Sequence, residues 1–191
     1  MPFTFTPLMQ KRLTPRAHEM LIRALRYFPE LRDKTITVGY TRTHLGSASL
    51  SYRPGQDPRL IIRLKIRKLT YQTLGHELTH LLQGLVRGDR RAPTAIPSDK
   101  IPAGEKQCDI WTLARHELFC DDAPTYITMP RSIREDWPYF ANAVRNLCLA
   151  AIDKRATHRH YIRWLEEEIR KLAKSPRPEK FTAPSQLRLP F

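Results

Sequence analysis

Two histidines four residues apart, with a glutamate directly after the first, sit inside one otherwise apolar stretch, Thr73-Leu74-Gly75-His76-Glu77-Leu78-Thr79-His80-Leu81-Leu82. This spacing constrains the fold more than any other feature. On an α-helix, residues four apart lie on one face. On that helix Leu74, Leu78, Leu81, Leu82 and Leu85 form the opposite, buried stripe. The polar face then offers the imidazoles of His76 and His80 to one metal ion, with Glu77 beside the first of them as a general base. Gly84 and Gly88 signal the end of the helix.

Two imidazoles do not complete a catalytic zinc site, which takes three protein ligands and keeps a position for water. A second helical segment opens at Gly104-Glu105-Lys106-Gln107-Cys108-Asp109. Glu105 and Asp109 are again four apart. Glu105 can supply the third ligand, and Asp109 can accept the outer N–H of a ligating histidine. His-Glu-x-x-His followed by Glu-x-x-x-Asp resembles the gluzincin metallopeptidases, the thermolysin-like branch of the zincins. The chain is short for that branch and looks most like its minimal, single-domain members. The resemblance implies a zinc metalloendopeptidase with His76, His80 and Glu105 as ligands, Glu77 as general base and Asp109 orienting His76. In gluzincins a Tyr or His from another segment stabilises the oxyanion, and Tyr126 is the candidate here. His116 lies on the face of Glu105 and Asp109 and is a reserve ligand.

The 191 residues, 41% of them hydrophobic, suit one compact domain over 1–174 followed by a flexible, Pro-rich tail over 175–191. No apolar run reaches the ~20 residues of a membrane span. The N-terminal residues lack the charged start and apolar core of a signal peptide, so the cytoplasm is the expected compartment. Cys108, Cys120 and Cys148 are odd in number and lack metal spacing, so they do not read as a disulfide framework, and Cys108 reads as a buried helix thiol. The net charge of +14 is uneven: residues 1–75 carry 14 basic and 4 acidic side chains, residues 76–135 carry 8 and 9, and residues 136–191 carry 11 and 6. Such an excess serves solubility or attracts a polyanion such as DNA.

Along the chain, residues 1–12 read as an extended lead-in. Thr14-Pro15 reads as a helix start, with Ala17, Met20, Leu21, Ala24, Leu25 and Phe28 at helical spacing. Three alternating runs follow: Ile36-Val38-Tyr40, Ala48-Leu50-Tyr52 and Leu60-Ile62-Leu64-Ile66. They predict a three-stranded meander leading into the His76 helix. The Glu105 helix is expected to run through Leu118. Residues 133–172 are expected to be helical with a break near Trp137-Pro138, and to carry the pairs Glu166–Arg170 and Glu167–Lys171. The fold class is therefore α+β: a small three-stranded sheet packed with helices, zincin-like.

The last six residues, Gln186-Leu187-Arg188-Leu189-Pro190-Phe191, resemble the Gln-Leu-x-Leu-Pro-Leu type of peptide by which bacterial proteins dock on the DNA sliding clamp, with Phe in the final place. Gln186, Leu187, Leu189 and Phe191 would be the anchors. With the basic composition, this points to a protease recruited to DNA or to the clamp, a role similar to that of the SprT-like proteases. Those use a third His after His-Glu-x-x-His, so the likeness is one of role. The rival expectation is a non-catalytic DNA- or clamp-binding module whose zinc is structural or absent.

Overall fold

The computed structural model describes residues 2–52, 56–88 and 100–181. Among them it contains seven α-helices and four strands, an α+β architecture. No described helix is long and apolar enough to cross a membrane. The chain divides into two compact units, Met1–Pro102 and Ala103–Phe191.

The first unit is a mixed sheet with helices. Its strands are β1 (Phe3–Phe5), β2 (Ile36–Tyr40), β3 (Gly46–Ser51) and β4 (Arg59–Leu64). Their spatial order is β1-β2-β4-β3. The expected meander is therefore wrong in two respects. β2 pairs with β4 in parallel, and only β3 with β4 is antiparallel. The physical reason lies in composition. β4 buries Leu60, Ile62 and Leu64 almost completely, and so takes the centre. β3 reads Gly-Ser-Ala-Ser-Leu-Ser, has no fully buried residue and is left at the edge. β1 is a three-residue strand inside the expected lead-in, and it pairs in parallel with β2 through Phe3 and Ile36. On one face of the sheet Thr37, Ile61 and Ser49 form one row, and Gly39, Arg63 and Ser47 the next.

The helices of this unit are α1 (Pro7–Gln10), α2 (Pro15–Leu25) and α3 (Tyr71–Gly88). α2 starts as the sequence predicts, with Pro15 at its first position and the Thr14 hydroxyl accepting from the Ala17 N–H at 3.1 Å. α3 begins in the same way: the Thr70 hydroxyl accepts from the Thr73 N–H at 3.1 Å. Leu74, Leu78 and Leu81 are fully buried, each worth about 1.5–3 kcal/mol of burial. The helix passes through Gly84 and ends at Gly88. Gly84 is thus an interior residue, and a Cβ there would lie 2.3 Å from the Leu50 side chain of β3. Its absence lets the edge strand lie close along the helix.

The second unit is helical: α4 (Glu105–Arg115), α5 (Arg131–Glu135), α6 (Trp137–Lys154) and α7 (Tyr161–Leu172). Its core includes Ile110, Leu113, Ile133, Val144, Leu165 and Ile169. α4 is entered through Gly104 at φ 118°, a conformation that favours glycine. It stops at Arg115, before the expected Leu118. His116 is extended and its Nδ1 accepts from the Leu118 N–H at 3.1 Å, capping a short 3-10 turn, Glu117–Cys120. Buried Trp137 donates Nε1–H to the Cys120 carbonyl at 2.8 Å. The three cysteines are free and buried. Burial pushes the Cys120 thiol up to about 12, with nearby Arg145 partly offsetting it. The expected helical pairs on α7 are replaced: Glu166 takes Lys106 of α4, Glu167 takes Arg163, and Lys171 takes Glu168. Past α7, Arg177 pairs with Asp136 and the Phe181 N–H donates to the Pro138 carbonyl at 2.7 Å. The tail anchors Gln186, Leu187, Leu189 and Phe191 lie outside the described residues.

Candidate metal centre

α3 brings its three expected site residues to one patch of the first unit. His76 and Glu77 are buried, at 6% and 5% exposure, and His80 is half-buried. The imidazoles stand edge to face, 4.7 Å between centroids at 81°. Their Nε2 atoms face each other at 3.1 Å. Two nitrogens bound to one tetrahedral zinc at ~2.05 Å each stand about 3.3 Å apart. The spacing of the pair and its nitrogen donors therefore fit a zinc ion without rearrangement of the helix.

The edge strand covers Glu77. A Cβ on Gly46, the first residue of β3, would lie 2.4 Å from Glu77 Oε1 and 2.7 Å from its Cγ. Only glycine leaves space for the carboxylate where it is. Near the other end of the strand, the Tyr52 hydroxyl donates to the Gly84 carbonyl at 2.8 Å. β3 thus runs along α3 from Glu77 to Gly84, held at both ends.

One residue of this patch escapes the sequence reading. Gln83, 6% exposed, has its Oε1 at 3.0 Å from His80 Nδ1. Its amide Nε2 donates to the carbonyl of Pro102. A signal was present: Gln83 stands three residues after His80, a polar side chain beside the leucine stripe of α3.

Glu105, Asp109 and Tyr126 belong to the second unit. Glu105 is exposed in the first turn of α4. Asp109 is fully buried on the same helix. Its Oδ2 accepts the N–H groups of Tyr126 and Ile127 at 2.5 and 3.2 Å. The carboxylate therefore orders the loop that carries Tyr126, a role absent from the sequence reading. Tyr126 meets Asp109 through its backbone, and as a residue it is 45% exposed. His116, the reserve ligand, has its Nδ1 engaged as a cap.

Comparison with protein-family profiles, with curated proteins and with solved structures finds no match to the chain.

Proposed function

We propose that this protein is a zinc-dependent metalloendopeptidase. The observation that carries the reading is the pair of Nε2 atoms 3.1 Å apart, next to a buried Glu77 seated under an edge strand. A zinc ion held there would supply Lewis acidity, which lowers the pKa of water and polarises a carbonyl. His76 and His80 would hold it. Glu77 would take a proton from the attacking water and return it to the leaving amine. As third ligand we propose Glu105, and a loss of zinc affinity in Glu105→Gln tests that choice. β3, at an edge of the sheet, supports a substrate bound as an extended strand, with main-chain hydrogen bonds supplying the affinity.

The substrate class follows from charge. The first unit carries 18 Lys and Arg against 7 Asp and Glu, a net of +11. The strands of its sheet contain Arg59 and Arg63 and no acidic residue. Such a surface suits DNA, and the protease would then act on DNA-bound proteins, with the tail peptide docking on the sliding clamp.

The test is zinc content together with cleavage of unfolded casein, with and without DNA. The expected result is one zinc per chain and cleavage that DNA increases. Glu77→Gln keeps the zinc and lowers the rate by about 10²–10⁴-fold. Retained zinc without cleavage, together with salt-sensitive DNA binding, would favour the non-catalytic module. Equal clamp capture by chains with and without residues 186–191 would remove the docking role.

A further inference from the structure

Gln83 has a polarity that the hydrogen bonds around it decide. Its side-chain amide has one oxygen, which only accepts, and one nitrogen, which only donates. One end meets the Pro102 carbonyl and the other meets His80 Nδ1. Were the amide reversed, its oxygen would press against the Pro102 carbonyl oxygen, two acceptors at hydrogen-bond distance. The carbonyl therefore turns the amide nitrogen to itself and the amide oxygen to His80. An acceptor at Nδ1 requires Nδ1 to carry the proton. In neutral imidazole the lone pair is then on Nε2, the atom that faces His76 Nε2 at 3.1 Å.

We infer that Gln83 is a positioning residue that holds His80 in the Nδ1–H tautomer, with the Pro102 backbone carbonyl as the fixed end that sets the amide's direction. The inference draws its functional meaning from the metal-site reading above. Histidines that bind metals normally give their second N–H to a carboxylate, a backbone carbonyl or water, and such partners govern affinity. Here a glutamine on the next turn of the same helix takes that part. Because it is 6% exposed, water does not readily replace it. Because Pro102 contributes backbone, replacing its side chain leaves the acceptor in place.

Two measurements test this, one of them independent of any metal. In the metal-free protein, long-range proton–nitrogen spectra of the imidazoles, with His80 assigned from the His80→Ala variant, should show His80 protonated at Nδ1. In Gln83→Met, which keeps the length and removes the acceptor, the population should move toward Nε2–H. A wild-type His80 protonated at Nε2 overturns the inference whatever the protein binds. In zinc titrations Gln83→Met should bind about 10–100-fold more weakly than wild type. Gln83→Glu keeps an acceptor for Nδ1 but sets a carboxylate oxygen against the Pro102 carbonyl, so it should bind more weakly than wild type yet more tightly than the Met variant, which has no acceptor. Zinc binding by the Met variant equal to wild type sinks the positioning role and leaves the metal site standing. No zinc binding by wild type sinks the metal site, and the tautomer measurement still decides the role of Gln83.

Discussion

The two units use their buried polar groups for different ends. In the helical unit several such groups meet complementary protein groups, although Trp111 Nε1 and Arg145 Nε are buried without a hydrogen-bond partner among the described residues. Asp109 meets two N–H groups, Trp137 a carbonyl, Tyr161 the Gln107 side chain, and Glu166 an ammonium and the Thr128 N–H. These bonds fix loops and helix ends. In the sheet unit the hydrogen bonds run outward from Gln83 and end with two imidazole nitrogens facing each other. The contrast teaches how to separate a structural polar cluster from a site. The first kind closes on itself, donor to acceptor. The second brings two ring nitrogens together, where one can donate to the other and where a cation also fits.

The strongest test of that contrast is removal of one of the facing atoms. His80→Ala should abolish zinc binding and with it any stabilisation by zinc, which at a thousandfold excess over Kd amounts to about 4 kcal/mol. Thermal melts with and without zinc read this directly, and an equal zinc-dependent shift in the variant breaks the contrast. A smaller effect is expected from Gly46→Ala. The new Cβ would sit 2.4 Å from Glu77 Oε1, so the carboxylate must move. A displacement on the order of 1 Å lowers turnover by about 10²-fold while zinc content stays unchanged. Full activity in that variant would mean that the seating of Glu77 under β3 is irrelevant to catalysis.

The smallest effect concerns the helical unit. Burial raises the Glu166 carboxyl, but the hydrogen bonds and charge of Lys106 and Thr128 outweigh it and hold the group below its ordinary value. A folded-state value lower than the unfolded one gives stability that is present above the ordinary glutamate range, near 4.5. That stability is lost as pH falls through the folded value. Urea melts between neutral and acid pH should show the loss in wild type and a flatter profile in Glu166→Gln. Identical profiles would mean that the pair is incidental.

Elements with strong local signals were legible in the sequence. Thr14-Pro15 started α2 where the cap rule puts it, His76 and His80 fell on one helix, and Leu165 and Ile169 form the buried face of α7. Strand order was not legible. It depends on which strand has the most apolar surface to bury, and alternation looks alike in β2 and β4. β1 is three residues long, too short for any period to show. Glu166 chose Lys106, far away in sequence, over Arg170 on its own helix, because partial burial strengthens an ion pair that an exposed helical surface leaves weak. Gln83 was missed because its role lies in the direction of an amide, which a carbonyl nineteen residues on decides.

The central place of β4 also affects how the chain assembles. Its hairpin with β3 joins near neighbours, whereas Ile36 must find Leu60 from across the intervening hairpin. Local contacts close first and distant ones later. Until β2 arrives, one edge of the Leu60–Leu64 segment stands open with its apolar side chains unsheltered. During synthesis or refolding, that segment is where self-association is most to be expected.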